Sequence, residues 1–384
     1  MTVNGGARDT VSGGSGGLDY RNADGGANDV TTAAGSSSVL DVANDAVHSF
    51  GSDTIRHRGG NVSMDVHGDS ALRIDDGNSS FSLYGRTSVT VAAGYDRFTL
   101  APGADASFDV GARGGLASIR EDGASARVLL RDPGSLGAEP AAVSVSGGSA
   151  DIAANPGYGI SVSTSGAAPV SVTASSGPVS VSSSGADAVR LGSGPSYVAV
   201  LGDGAEVWAG SGDLRIGDYD WSGGGSFTLH GGSGSVSADA GSARMSFVGG
   251  SGDAVLTGEA LDIVGGSGSV SVTGRYGSHV ASFTGGSGAV SLALDGSGSD
   301  ITFGSGAASV HALGWGASDV FRFAAGQAGT STIDNFRVGT DAAVLGAGVS
   351  VASADAAGGS ARFVLSSGAT VTFNGVADTR GVFG

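Results

Sequence analysis

The sequence predicts an all-β chain, a parallel β-solenoid (β-roll or β-helix) closed by a C-terminal β cap. Three observations carry that expectation. Glycine fills 73 of 384 positions, far above the ~7% of ordinary proteins, and helix interiors reject it. The tetrapeptide Gly-Gly-Ser-Gly begins at Gly231, Gly249, Gly265 and Gly285, at intervals of 18, 16 and 20 residues, with an earlier copy at Gly13. Apolar and small polar residues then alternate, as in Val270-Ser271-Val272-Thr273 and Val290-Ser291-Leu292-Ala293-Leu294.

Each element follows from these patterns. Period-two alternation puts Val, Leu and Phe on one strand face and Ser or Thr on the other. A second short strand precedes each next corner: Met245–Val248, Leu261–Val264, Ser282–Thr284 and Ile301–Phe303. Two short strands and their corners make a coil of about 18 residues, and coils stack at roughly 4.8 Å. Glycine is expected to supply positive φ at the corners, where a Cβ would clash. One coil cannot bury its own apolar face, whereas a stack builds a continuous thin core. A Gly/Ser linker would lack the alternating Val and Phe.

Along the chain the texture changes. Residues 1–60 are Gly/Asp-rich degenerate repeats. Residues 61–190 read as less regular solenoid, more charged at first and Ser/Val/Ala-rich later. Residues 191–303 hold the clearest coils. In residues 304–384 larger apolar groups gather, among them Trp315, Phe321, Phe323, Phe336, Phe363 and Phe373. A cap is expected there, since an open solenoid end is an adhesive sheet edge.

Composition excludes several classes. All 19 basic residues are Arg, 32 of 36 acidic residues are Asp, and the net charge is -17. That balance argues against nucleic acid or anionic lipid as a partner. No cysteine is present, so disulfides are impossible. No apolar run reaches the ~18 residues of a membrane-spanning helix. Charged residues are 14% and hydrophobic ones 40%, which speaks against plain disorder. Met1 is followed by Thr2-Val3-Asn4-Gly5-Gly6, with no basic and then apolar leader. Three readings follow: a cytoplasmic chain, one exported through a signal elsewhere in it, or one cut from a longer protein.

The C-terminal block points to the second of these. Gly316-Ala-Ser-Asp319-Val-Phe321-Arg-Phe323 and Ile333-Asp334-Asn335-Phe336-Arg-Val-Gly339-Thr-Asp341 resemble the elements that close the arrays of RTX (repeats-in-toxin) proteins. Asn335 stands where that family usually has Asp. The resemblance implies a secreted or cell-surface protein, a C-terminal signal read by type I secretion machinery, and calcium between coils.

The calcium expectation can be tested on the residues. The repeat Gly-Gly-x-Gly-x-Asp-x-U-x places a carboxylate at its sixth position, as a hard cation with six to eight oxygen ligands requires. The five Gly-Gly-Ser-Gly copies carry Leu18, Val236, Ala254, Val270 and Val290 there. A hydrophobe has replaced the ligand, so the interior is expected to be apolar and no cofactor to be required. Calcium is then at most local, with Asp53, Asp300 and Asp319 as its candidate ligands. An ordinary Asp in such turns is a solvated turn residue.

Catalytic patterns are weak. The six histidines, His48, His57, His67, His230, His279 and His311, form no His-Glu-x-x-His motif. Gly13-Gly-Ser15-Gly-Gly17 matches Gly-x-Ser-x-Gly without the strand–turn–helix context. The adjacent acids Asp75-Asp76 and Glu121-Asp122 would point to opposite strand faces. Trp208, Tyr219 and Trp221 could form a sugar platform, although core or turn packing is the plainer role.

Two functions from different classes follow. The first is a non-enzymatic extracellular structural or adhesive protein, self-associating into matrix, surface layer or filaments, with polysaccharide or a cell surface as a further partner. The second is a polysaccharide-binding module or polysaccharide-degrading enzyme on a β-helix. Its groove would fall in residues 61–135, with Arg73, Asp75, Arg86, Tyr95, Asp96 and Arg97.

Overall fold

The computed structural model describes residues 1–6, 8–22, 25–130, 141–154, 159–166, 168–217, 225–294, 298–312 and 318–383. Every regular element among them is a strand, and no helix occurs among the described residues. The chain divides into two compact units, Met1–Pro195 and Ser196–Gly384.

Both units are parallel β-solenoids with two strands per coil. A strand pairs not with its chain neighbour but with the one a coil further on. In the first unit Thr2–Gly5 pairs with Asp19–Asn22, which pairs with Val39–Val42, then Thr54–His57 and Ser70–Ile74, all parallel. Thr10–Ser12, Asp29–Thr31, Ala46–Ser49, Ser63–Val66 and Ser80–Leu83 form the opposing stack. Arg86–Leu100 and Asp105–Asp122 bend through the corner and contribute to both stacks.

The core consists of apolar columns running along each stack. In the first unit Tyr20, Leu40, Ile55, Leu72, Val89, Phe108 and Val128 succeed one another in register. Facing them, Val11, Val30, Val47, Met64, Phe81 and Phe98 do the same. All of these are buried. The second unit repeats the design with Ala238, Leu256, Val272, Leu292, Val310 and Ile333. Opposite them stand Leu229, Phe247, Ile263, Phe283, Ile301 and Phe321. Burying one such side chain contributes about 1.5–3 kcal/mol. The hydrophobes at the sixth position of the five Gly-Gly-Ser-Gly repeats, Leu18, Val236, Ala254, Val270 and Val290, all lie in this core.

The expectation of positive φ at the corner glycines holds at Gly17, Gly35, Gly60 and Gly77 but is corrected at the later repeat. The Gly-Gly-Ser-Gly glycines at 231–288 do not have positive φ. They are required because the corners stack on one another at close range. A Cβ on Gly250 would strike the backbone of Gly231 and Gly232, one on Gly266 that of Gly249 and Gly250, and one on Gly286 that of Gly265 and Gly266. The ladder continues through each corner. Ser251 N–H donates to the Gly232 carbonyl, Ser267 to Gly250 and Ser287 to Gly266, each at 2.9 Å. The close approach is what lets these donors reach the coil before them.

The end of the second unit departs from the parallel pattern. Thr370–Asn374 lies parallel to Thr330–Asp334, but Ser360–Leu365 runs antiparallel to it, and Val351–Ala357 antiparallel to Ser360–Leu365. Phe323, Phe363, Phe373 and Phe383 pack edge to face around this point.

Candidate functional site

The three candidate calcium ligands fall in three different settings. Asp53 is buried at a turn of the first unit. Its carboxylate accepts from Thr32 Oγ1 at 2.6 Å, Ser49 Oγ at 2.7 Å and the Ser38 N–H at 2.8 Å. Protein donors on neighbouring coils thus occupy the lone pairs that a cation would need. Asp300 faces outward and holds Arg322 in a bidentate pair at 2.7 and 2.9 Å. Asp319 is fully buried and accepts the Ser299 N–H at 2.9 Å, with its Oδ2 unpartnered. Burial pushes its carboxyl upward against that hydrogen bond. Among the described residues no three His, Asp or Glu groups are placed to hold a metal ion.

Asp53 belongs to a recurring device. Asp187 accepts from Thr164 Oγ1 at 2.6 Å, Ser183 Oγ at 2.7 Å and the Val170 N–H at 3.0 Å. The two sites share a sequence signature, Ser49-Phe-Gly-Ser-Asp53 and Ser183-Ser-Gly-Ala-Asp187, with a Thr 21 and 23 residues before the Asp. In each the carboxylate ties a turn to the coil before it. Asp45 accepts the Asn28 N–H at 3.0 Å and the Asn22 amide at 2.8 Å in the same spirit. A Ser-x-Gly-x-Asp match with a Thr 21 or 23 residues upstream, which the third match Ser15–Asp19 lacks, is the signal that sequence reasoning missed.

His57 occupies a core position, in register between Val42 and Ile74. Its Nε2 lies 3.0 Å from Ser79 Oγ, and the Ser79 N–H donates to Asp96 Oδ1 at 2.9 Å. Burial lowers the His57 pKa, with its backbone contacts to Val42 and Gly60 opposing. Burial raises Asp96 to about 7, against the Ser79 hydrogen bond and with help from Asp76. Serine, histidine and aspartate therefore meet inside the solenoid wall, fully buried. The arrangement ties three coils together and offers no open face to a substrate.

The other histidines disperse. His48 pairs with Asp65 at 3.1 Å. His67 stacks between Phe50 and Tyr84, with ring centroids 4.7 and 4.2 Å apart, forming an exposed ladder 17 residues per step. His230 stacks on Trp208 at 5.2 Å and meets Glu206 at 2.9 Å. His311 lies 3.4 Å from Asp334. Tyr219, Trp221 and Trp315 lie outside the described residues, as do the side chains of Tyr95, His279, Glu121 and Asp122.

Of the groove proposed in residues 61–135, Arg73 and Asp75 share an outward face, 2.7 Å apart, with Arg56 2.5 Å from the same Asp75. Partial burial pushes Asp75 up, but its bonds to Arg73 and Arg56 outweigh this and hold it below the usual carboxylate range. Asp96 points inward and does not join them. Arg86 pairs instead with Asp105 at 3.6 Å.

The strand edges are the remaining feature. Among the described residues, Thr2–Gly5 and Thr10–Ser12 each have a partner on one side only. Val351–Ala357 is exposed along its whole length and is paired on one side. No family model, curated protein or solved structure matches the chain.

Proposed function

We propose that the protein is a non-enzymatic structural component, exported to the cell exterior, that self-associates through its unpaired strand edges into matrix, surface layer or filaments. The observation that carries this reading is the unpaired edge at Thr2–Gly5 and Val351–Ala357. An unpaired edge is a row of N–H and C=O groups ready to accept another strand. Joining two different edges is a heterologous contact, which propagates rather than closing. The absence of Lys removes one common guard of such edges. The cluster of antiparallel strands and phenylalanines at 351–383 acts in this reading as the cap of its stack, leaving Val351–Ala357 as the docking strand. The charge of -17 would oppose association at low salt, and divalent cations would screen it.

The test is sedimentation velocity together with negative-stain imaging of the purified chain, with and without calcium. The Asp19 N–H donates to the Met1 carbonyl. By alternation Val3 also faces the neighbouring coil, and the exposed Asn4 directs its N–H outward. Asn4→Pro removes that donor while sparing the intramolecular ladder. Polymers from wild type that Asn4→Pro suppresses support the reading. A wild-type chain that stays monomeric at high concentration, with and without calcium, contradicts it.

A further inference from the structure

The outward face of the first unit carries a groove of about 340 Å³ crossing five successive coils. Two neighbouring columns build it. One runs Asp19, Val39, Thr54, Ala71 and Ser88, and the other Arg21, Asp41, Arg56, Arg73 and Thr90, each in strand register. The first column is short and largely uncharged, so it forms a floor. Along the second, arginines recur at multiples of the ~4.8 Å strand spacing.

The electrostatics of this face oppose those of the whole chain. Among the described residues Arg21, Arg56, Arg58 and Arg73 share two carboxylates, Asp41 and Asp75. Those carboxylates lie low, 16% and 20% exposed, while Arg21, Arg56 and Arg73 are 66%, 52% and 62% exposed. Asp19 is the remaining acid along the groove. The face therefore presents guanidinium groups to solvent on a protein of net charge -17. Guanidinium is the side chain best suited to carboxylate recognition, through two parallel N–H donors. The stems of the arginines and the exposed Val39 and Ala71 add an apolar floor.

We propose that this groove is a binding site for a linear polyuronate, with its carboxylates held by Arg21, Arg56 and Arg73 and its sugar rings lying over Val39, Thr54, Ala71 and Ser88. Arg21, Arg56 and Arg73, two and then one strand spacing apart with Asp41 between the first two, line a shallow floor along the stack and fit an extended polymer that carries a carboxylate on each repeating unit. The site uses outward side chains and not the strand-edge donors that carry the assembly reading, although its Arg21 lies in register with Asn4 of the edge strand.

The test is isothermal titration of the full chain with polygalacturonate oligomers, with dextran oligomers as the neutral comparison. The wild-type chain binds polygalacturonate in a salt-sensitive manner, and Arg56→Gln/Arg73→Gln loses at least about tenfold in affinity. Arg322→Gln, an exposed ion-paired arginine in the second unit, leaves binding unchanged. Circular dichroism and thermal melting verify that each variant is folded. Absent polygalacturonate binding by wild type overturns the proposal. So does undiminished binding by the folded double variant, or equal binding of dextran. Should the double variant disrupt only self-association, the groove is an interface between copies and the proposal also fails.

Discussion

Replacing Gly266 by alanine tests the packing of the corners with a single methyl group. A Cβ there would lie 2.7 Å from both the carbonyl carbon and oxygen of Gly249, and nearer still to the Gly250 carbonyl oxygen. Ordinary contact starts at 3.4 Å, so clearing the Gly249 carbonyl alone parts the corners by about 0.7 Å, and clearing the nearer Gly250 oxygen takes more. The atoms in the way are backbone and have no rotamer by which to retreat. The Gly250 carbonyl currently accepts from Ser267 at 2.9 Å and from Gly268 at 3.3 Å. A shift of that size lengthens the shorter bond to about 3.6 Å, beyond hydrogen-bonding range. Losing both, with strain in the flanking strands, costs about 2–4 kcal/mol. A control comes from Gly326, where an added Cβ would meet no atom within 4 Å and φ is not positive. Gly326→Ala should be neutral or stabilise by roughly 0.4–1 kcal/mol through the unfolded chain. The assay is urea denaturation of both variants, with amide exchange at Ser267 and Gly268 as the local readout. If Gly266→Ala proves as stable as Gly326→Ala, close corner stacking is refuted.

Two further predictions concern buried carboxyl groups. Asp96 titrates near 3.8 in the unfolded chain and about 7 in the folded one, so its contribution is complete below pH 3.8 and is lost as pH rises towards 7. The difference is worth up to about 4 kcal/mol at 1.36 kcal/mol per pH unit. His57 works in the opposite direction: its lowered pKa gives stability that is present above 6.5 and is lost as pH falls through the folded value. Asp96→Asn keeps an acceptor for the Ser79 N–H and removes only the carboxyl titration. Its stability relative to wild type, measured by urea denaturation, should rise steadily from about pH 4 to 8, and a constant difference would count against a raised Asp96. Asp53→Ala leaves Thr32, Ser49 and the Ser38 N–H without their acceptor, at a cost of about 3 kcal/mol or more. A chelator should leave the wild-type melting temperature in place, and a fall of several degrees would show that calcium supports the coils after all.

Some of this architecture is legible in the residues themselves. The alternation in Val270-Ser271-Val272 and Val290-Ser291-Leu292 becomes two apolar columns with small polar residues outside, because a strand has only two faces. The hydrophobes at the sixth position of the repeats, Leu18, Val236, Ala254, Val270 and Val290, read as core-facing, and the structure buries all five. Other features depend on what lies one coil away, which a linear reading does not supply. Asp53 reads as a candidate calcium ligand and Asp187 as a solvated turn residue until Thr32 and Thr164 are stacked beside them. His57 reads as a surface or structural histidine, and only the register with Val42 and Ile74 puts it inside. The repeat suggests corner glycines chosen for the sign of φ, whereas their real constraint is the carbonyl of the preceding corner. The arginine column shows the same dependence: Arg21, Arg56 and Arg73 are scattered in sequence and aligned only by coils of unequal length.

The parallel stacking of the second unit can be measured directly, since a chain without cysteine accepts spin labels only where they are introduced. Ser237, Val255, Ser271, Ser291 and Ser309 are consecutive in register, so labels at Ser237→Cys and Ser309→Cys lie four strand spacings apart, about 19 Å. Pulsed electron spin resonance should give a narrow distribution centred there. A broad distribution, or a sharp one far from that distance, would contradict a solenoid of stacked parallel coils.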